Sequence, residues 1–257
     1  MRAPVGIHYS IHRTEGNPER PPIILIHGAG GNRLTWHPYI RRLAGETIYA
    51  LDLPGHGESE GAGRNSIKEY AGDVLKFINE QKIQKAVLGG ISMGSAISLT
   101  LAVNHPEKVA GLMLIGGGAK MRVAKSILDS VGNSDTFEAA VEMINTSCFS
   151  ANAPQDLLRL SKQILLKTDP SVLLGDFLAC NQFDLTGQLS AINVPVLILC
   201  GAEDKMMPPK FSESLRDNLP NARLQIVKRA GHMLTLEQPD AVADSLKRFM
   251  DDIPPRT

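Results

Sequence analysis

Residues 87–96 of the chain read VLGGISMGSA, and this stretch decides the fold. It joins an apolar run typical of a buried strand to a tight turn and to small residues that suit the start of a helix. Residues 90–94 match G-x-S-x-G, which places Ser92 on the turn. A nucleophile on such a strained turn needs small neighbours, and the free N–H groups of the following helix favour negative charge there. We predict that Ser92 is a nucleophile; a glycine-rich packing turn is the alternative.

A second glycine-rich segment follows an apolar run upstream, where residues 23–32 read IILIHGAGGN. Glycines let the backbone approach a substrate closely and point N–H groups at it. In acyl transfer, one such N–H group and that of the residue after the nucleophile bind the developing oxyanion. The candidate donors are therefore the amides of Ala29 and Met93. A phosphate-binding loop is disfavoured, because the chain has no G-x-x-x-x-G-K-[ST] motif and residues 28–30 lack the third glycine of a dinucleotide fingerprint.

Candidates for an acid and a base lie late in the chain, each after a predicted strand. Glu203 and Asp204 follow the apolar run of residues 196–200, at the sheet edge where parallel sheets place their sites. We favour Asp204 and expect Glu203 to be a solvated turn residue. His232 follows the last predicted strand and a glycine, which completes the order Ser92, Asp204, His232. We predict His232 as the general base and Asp204 as the acid that orients it.

The other six histidines are expected in structural positions. They are predicted on the surface of an edge strand (His8, His12), in loops before a proline (His37, His105), in a turn (His56), or beside the glycine loop, which a backbone hydrogen bond would shape (His27). A histidine that does not follow a late strand, as His232 does, is more often structural than catalytic.

Apolar runs alternate with helical patterns along the chain. Short runs bounded by glycine, proline or charge are typical of strands buried on both faces, so the alternation predicts an α/β fold with a parallel sheet covered by helices on both sides. The predicted strands are residues 23–26, 47–51, 86–88, 109–115, 196–200 and 224–227, with an edge strand in residues 6–11. Residues 119–187 hold only helical patterns. We therefore predict a core of residues 1–118 and 188–257 with a helical cap inserted at residues 119–187.

Composition limits the partners and the compartment. The 257 residues include 27 basic and 27 acidic side chains, and this balance argues against nucleic acid or an anionic membrane surface as the main partner. No apolar run approaches the roughly 20 residues of a membrane span, and residues 1–10 do not resemble a signal peptide. Three cysteines without CxxC spacing disfavour a disulfide framework or a zinc site. We expect a cytoplasmic monomer or homodimer.

Together, these motifs resemble those of the α/β-hydrolase superfamily over nearly the whole chain. The matching segments are residues 27–30 (HGAG), 52–59 (DLPGHGES), 90–94 (GISMG), 201–204 (GAED) and 231–232 (GH). The resemblance implies a mostly parallel twisted sheet, a Ser-Asp-His triad and a helical cap after the sixth strand. The short stretch before Ile23 suggests a truncated first strand.

Differences from the motifs of other families with this fold make some of their reactions less favoured for this chain. Dehalogenases and epoxide hydrolases of this fold carry Asp as the nucleophile, where this chain has Ser92. The carbon–carbon hydrolases usually have Gly-Pro-Gly in the oxyanion loop and Trp after the catalytic histidine, where this chain has residues 30–32 (GGN) and Met233. That activity is therefore less favoured.

The motifs and the resemblance imply a serine hydrolase that needs no metal or cofactor. The expected substrate is a small to medium apolar carboxylic ester, cleaved through an acyl-enzyme. Alternatives on the same fold are carbon–carbon bond, thioester or lactone hydrolysis and cofactor-free perhydrolysis. An alternative of another class is a ligand receptor that retains the triad with slow turnover.

Overall fold

The strands of the computed structural model form one sheet; the structure describes residue 1 and residues 6–13 and 20–255. The strands are β1 (Tyr9–His12), β2 (Ile23–Ile26), β3 (Ile48–Leu51), β4 (Ala86–Ile91), β5 (Val109–Ile115), β6 (Val196–Gly201) and β7 (Ala222–Val227). Their order is β1-β3-β2-β4-β5-β6-β7, with β1 antiparallel to β3 and the other neighbours parallel. The predicted mostly parallel sheet and its edge strand are confirmed. The truncated strand expected before Ile23 falls partly on residues 14–19, outside the described residues.

Side chains of the central strand β2 alternate between the faces of the sheet, and each face carries its own apolar cluster. Ile24 and Ile26 belong to one cluster, Ile23 and Leu25 to the other, and all four are fully buried. The first face is covered by α2 (Ile67–Glu80), α3 (Met93–Asn104) and α8 (Pro209–Asn218), and the second by α1 (Pro38–Arg41), α9 (Leu234–Glu237) and α10 (Pro239–Asp251). A strand buried on both faces needs apolar side chains throughout, which explains the unbroken apolar runs.

The two helices beside β4 differ in how much of their surface they bury. Helix α2 begins at Ser66, whose side chain accepts a hydrogen bond from the N–H of Glu69, and only one side of the helix is apolar. Helix α3 is buried along most of its 12 residues, because it lies between the sheet and other helices. Within the described ranges, no helix combines the length and the apolar character that a membrane span requires.

The edge strand β7 differs from the expectation of a strand buried on both faces. Among the strands of the described residues it pairs only with β6, and Ile226 is 41% exposed. Arg223 and Gln225 alternate with apolar neighbours along it, a pattern that suits a strand partly open to water. The prediction was wrong here because the polar Gln225 interrupts the apolar residues of 224–227 and the polar Arg223 precedes them.

Four α-helices lie between β5 and β6, where the sequence predicted helical segments, so the insertion follows the fifth described strand and not the sixth that the resemblance implied. They are α4 (Lys125–Val131), α5 (Phe137–Cys148), α6 (Gln155–Lys167) and α7 (Pro170–Gln182), and we refer to residues 125–182 as the helical insertion. An isolated antiparallel bridge between Lys120 and Asp184 joins the two ends of the insertion. Buried residues of α4 to α7 form a third apolar cluster, separate from the two that flank the sheet. The insertion therefore has a small core of its own.

Candidate active site

Loops after five strands meet at the carboxyl edge of the sheet, where they bring together the three residues of the predicted triad and two glycines. They carry Gly28 after β2, Ser92 after β4, Gly116 after β5, Asp204 after β6 and His232 after β7. Ser92 and His232 line the same cavity. Parallel strands end at a common edge, so residues far apart in the chain meet there.

The turn between β4 and α3 holds Ser92 in a backbone conformation that few non-glycine residues adopt, with φ 53° and ψ −117°. Both glycines of the motif are required by sterics. A Cβ at Gly90 would collide with the carbonyl oxygen of Gly94, and a Cβ at Gly94 with that of Ile26. The N–H of Ser92 donates to the carbonyl of Ile115 at 2.8 Å, which fixes the turn to β5. The strained turn leaves the serine side chain half-buried at the cavity.

Two backbone amides beside Ser92 have no acceptor among the residues that the structure describes, and they are those of Ala29 and Met93. Met93 is the first residue of α3, where amides lack helical partners. The glycine loop packs directly on the serine, since a Cβ at Gly28 would lie 3.1 Å from Cβ of Ser92. Free N–H groups next to a serine hydroxyl are what a developing oxyanion requires.

The imidazole of His232 and the carboxylate of Asp204 form a buried pair. Nδ1 of His232 lies 2.8 Å from Oδ2 of Asp204, and the two residues are 5% and 4% exposed. The other carboxylate oxygen accepts from the N–H groups of Met206 and Met207 at 2.9 and 2.8 Å. An ionised carboxylate only accepts, so Nδ1 carries the imidazole proton and Nε2 is left as the basic nitrogen.

Two glutamates attach the loops of this pair to the helical insertion. Glu203, the alternative acid, accepts from the N–H of Ala151 at 3.1 Å. Glu237 accepts from the N–H of Gly231 at 2.7 Å with one oxygen and from that of Ser150 at 2.9 Å with the other. The structure thus places Asp204, and not Glu203, against the imidazole.

Gly116 is a residue of the site that the sequence analysis missed. It has φ +55°, and a Cβ there would lie 2.9 Å from Nδ1 of His232 and 3.2 Å from Oδ2 of Asp204. A side chain would press on the two atoms that form the hydrogen bond. The sequence signal is a run of three glycines, residues 116–118, directly after a predicted strand.

The cavity beside Ser92 is small and mostly apolar. Its volume is about 70 Å³, and apart from His232 no ionisable side chain of His, Asp, Glu, Lys or Arg lines it in the described part of the chain. The helical insertion contributes Ile144, Cys148, Ser161, Ile164, Leu165 and Phe177. The loops after β6 and β7 contribute Met206 and Met233, and α9 contributes Leu236. Burial, with Asp204 nearby, raises the pKa of the Cys148 thiol to about 12, so it stays neutral. Met143 of α5 is exposed and does not line the cavity.

Two adjacent histidines support the glycine loop. Nδ1 of His27 lies 2.8 Å from the Gly28 carbonyl, and its Nε2 accepts from the N–H of Leu53 at 3.0 Å, the backbone contacts expected from sequence. Burial, and the charge of His56 nearby, lower the pKa of His27 to about 4, so this ring is neutral. His56 was predicted in a turn, but its Nε2 also lies 2.8 Å from a carboxylate of α7, that of Asp176. The turn assignment was therefore incomplete.

Comparison with known proteins identifies the family of the chain. The model of the alpha/beta hydrolase family matches residues 23–245, and the chain belongs to that family. A pimeloyl-[acyl-carrier protein] methyl ester esterase of Pectobacterium atrosepticum is 29% identical over 243 residues, which cover 88% of this chain and 93% of that protein.

Solved structures show the same fold. The enol-lactonase of Burkholderia xenovorans LB400 superposes with a TM-score of 0.88 at 24% identity, covering 95% of this chain and 96% of that one. A thermophilic esterase of Thermogutta terrifontis superposes with a TM-score of 0.86 at 22% identity, covering 96% and 93%. The family match and the esterase of Pectobacterium atrosepticum together support an enzyme of the alpha/beta hydrolase type. Its described residues contain no group of three or more His, Cys, Asp or Glu side chains arranged to hold a metal ion.

Proposed function

We propose that the protein is a serine hydrolase that cleaves a carboxylic ester through an acyl-enzyme on Ser92. One observation carries the proposal: a single cavity is lined by Ser92, by His232 paired at 2.8 Å with Asp204, and by Ala29, whose amide is without an acceptor among the described residues. A strained serine, a base with a fixed tautomer and a free N–H group are the components of acyl transfer.

The proposed reaction has two halves. Oγ of Ser92 attacks the ester carbonyl while Nε2 of His232 accepts its proton, and the amides of Ala29 and Met93 bind the oxyanion. When the tetrahedral intermediate collapses, His232 returns the proton to the departing alcohol and the acyl group remains on Ser92. His232 then takes a proton from water, which attacks the acyl-enzyme to form a second tetrahedral intermediate. When this intermediate collapses, the bond between the acyl group and Oγ of Ser92 breaks, His232 returns the proton to Oγ, and the acid is released. Asp204 holds the imidazole in position and stabilises its charged form.

The cavity supports a short, uncharged acyl group. It has about 70 Å³ of free volume, walls of aliphatic, aromatic and thioether side chains, and no cation among its described lining to bind a carboxylate. We propose that residues 119–187 act as the cap that closes this cavity, since α5, α6 and α7 supply one of its walls. The esterase and lactonase names of the similar proteins agree with an ester or an internal ester as substrate.

The experiment is a series of p-nitrophenyl esters of increasing acyl length, assayed beside a lactone and a thioester. We expect the highest kcat/KM with short acyl groups, turnover within the usual range of about 1–10³ s⁻¹, and a loss of several orders of magnitude in Ser92→Ala. Ser98→Ala is the matched control, because that buried hydroxyl on the same helix only donates to the Gly94 carbonyl. Near-wild-type activity in Ser92→Ala would refute the proposal, and a single slow turnover on every ester would favour a receptor.

A further inference from the structure

Asp176 is a carboxylate buried without any solvent exposure in the middle of a mostly apolar helix, α7. Burying a charged group is costly unless donors surround it, and Asp176 has three such partners. They are the N–H of Gly30 at 2.8 Å, Nε2 of His56 at 2.8 Å and the hydroxyl of Tyr70 at 2.5 Å. All three partners belong to the sheet domain rather than to the helical insertion. The carboxylate therefore connects the insertion to the loop that follows β2.

The partners of Asp176 are arranged as donors to an ionised carboxylate. Nδ1 of His56 lies 3.1 Å from the Pro54 carbonyl, so both ring nitrogens face acceptors, as in an imidazolium. The hydroxyl of Tyr70 accepts from the N–H of Arg64 at 2.9 Å, which directs its own proton to Asp176. Burial by itself lowers the pKa of His56, but the adjacent Asp176 carboxylate, together with the Pro54 carbonyl and the charge of Asp52, raises this pKa on balance. The carboxylate is thus held by charge as well as by hydrogen bonds.

Gly30 is held on both sides by residues of the insertion. Its N–H donates to Asp176, and its carbonyl accepts from the hydroxyl of Thr168 at 2.9 Å. Its φ of +63° favours glycine, and a Cβ there would lie within 2.7 Å of Leu173 and Leu165. The peptide plane that carries the Gly30 N–H also carries the Ala29 carbonyl. Fixing this plane restricts how the neighbouring Ala29 N–H can point.

We propose that Asp176 is a positioning residue for the oxyanion hole: it holds the Gly30 amide so that the N–H of Ala29 is directed at the reacting carbonyl. The helical insertion then does more than cover the substrate, because one of its helices sets the geometry of a catalytic donor. This inference rests on the proposed function and on Ala29 as an oxyanion donor. If Asp176 were purely structural, it would hold the insertion in place, and its loss would not weaken binding of the transition state more than binding of the substrate.

The test compares Asp176→Ala with Asp176→Asn and with the control Asn145→Ala. The asparagine can still offer an amide oxygen to Gly30, whereas alanine removes the acceptor. Asn145 is a buried residue of the insertion whose side chain donates only to the Leu158 carbonyl, away from the glycine loop. Each variant is assayed for kcat, KM, melting temperature and the affinity of a trifluoromethyl ketone, which forms a tetrahedral adduct with the serine.

We expect Asp176→Ala to lower kcat by about 10–100-fold with KM within about threefold, since a donor displaced by about 1 Å costs up to 10²-fold and a lost one 10²–10³-fold. The affinity of the trifluoromethyl ketone should fall by the same factor as kcat/KM. Asp176→Asn should recover most of kcat. Asn145→Ala should lower the melting temperature and leave kcat within about twofold.

The proposal is overturned if kcat of Asp176→Ala falls no further than that of Asn145→Ala, or if ketone affinity is retained while kcat falls. If Asp176→Ala does not fold, Thr168→Val decides the matter, because it removes only the hydroxyl on the Gly30 carbonyl. A three- to tenfold lower kcat at unchanged KM is expected for a lost neutral hydrogen bond, and unchanged kcat refutes the proposal. Ser92→Ala in the same assay separates the two hypotheses. If Ser92→Ala stays active, the proposed function fails. If Ser92→Ala is inactive while the Asp176 and Thr168 variants keep the activity of their controls, only the inference about Asp176 fails.

Discussion

The two sides of the cavity are held in different ways. On the acid–base side, Asp204 is oriented by amides two and three positions further along its own loop, and His232 follows the next strand. On the oxyanion side, Gly30 is held by Thr168 and Asp176, which lie 138 and 146 positions away in the chain. One side depends mainly on the order of strands in the sheet, whereas the other depends on how the helical insertion packs on that sheet.

This difference has a practical meaning for mutation. Changes on the acid–base side should act through the protonation and orientation of the imidazole, so they should affect catalysis more than folding. Changes on the oxyanion side remove contacts between the sheet and the helical insertion, so they should affect stability and catalysis together. Variants of the two sides can therefore show whether the division is real.

The largest effect is expected on the acid–base side. Asp204→Asn should lower kcat by about 10³–10⁴-fold, because an asparagine amide can stabilise the wrong imidazole tautomer and cannot stabilise the imidazolium. The melting temperature should change little, since an amide oxygen can still accept from Met206 and Met207. Steady-state kinetics with a p-nitrophenyl ester and a thermal melt give both values.

Glu203→Gln is the matched control for that substitution. Its carboxylate accepts from the Ala151 amide, which a glutamine oxygen can also do, so kcat should stay within about twofold. If Glu203→Gln loses as much activity as Asp204→Asn, then the acid has been assigned to the wrong residue.

The next effect concerns the pH dependence of stability on the oxyanion side. The pKa of His27 is lowered from 6.5 to about 4, first by burial, so between these values the unfolded chain binds a proton that the folded chain does not. The contribution of His27 to the free energy of unfolding is complete above pH 6.5 and is lost as the pH falls to about 4. The loss should be about 3 kcal/mol in the free energy of unfolding, at about 1.4 kcal/mol per unit of pKa.

The neighbouring ring should behave in the opposite way. The pKa of His56 is raised, so its contribution is complete below about pH 6.5 and is lost as the pH rises through its folded-state pKa. Urea unfolding of wild type, His27→Gln and His56→Gln across pH 4–9 measures both contributions by difference. For each variant, the difference in unfolding free energy from wild type is plotted against pH. If the two plots have slopes of the same sign, the charge states assigned to these rings, whose centroids are 4.8 Å apart, are contradicted.

The smallest effect is expected from a single methyl group. Gly116→Ala should lower kcat by about 10–100-fold, because its Cβ would lie 2.9 Å from Nδ1 of His232 and would displace the ring from Asp204. Gly72→Ala is the control, since a Cβ there meets no atom within 4 Å and kcat should not change. The substitution should stabilise α2 by about 0.5–1 kcal/mol, because alanine favours a helix more than glycine does. Unchanged kinetics in Gly116→Ala would show that the pair tolerates movement.

Local sequence patterns predicted the sheet and the acid–base side. The unbroken apolar runs identify strands buried on both faces, and the glycines around Ser92 meet the steric demand of its turn. The positions of Asp204 and His232 follow from which strands they succeed. In each case, the pattern that predicts the conformation lies within a few positions, although the carbonyl that excludes a side chain at Gly94 belongs to the distant Ile26.

The oxyanion side could be predicted only in part. The glycines of residues 28–31 signal a loop that approaches a ligand, but Asp176 is separated from them by more than half the chain. Its signal was an acidic residue in an apolar helical segment, which shows that a partner must exist without showing which one. The same limit applies to His56, whose turn contact is local and whose contact with Asp176 is not.

The proposed nucleophile can be tested most directly by trapping the acyl-enzyme. The protein is mixed with a p-nitrophenyl ester for one turnover and quenched in acid, and the peptides are then mapped by mass spectrometry. We expect the acyl mass on the peptide that contains Ser92, and no adduct and no turnover in Ser92→Ala. Hydrolysis without an adduct on Ser92, together with retained activity in Ser92→Ala, would contradict the proposed mechanism.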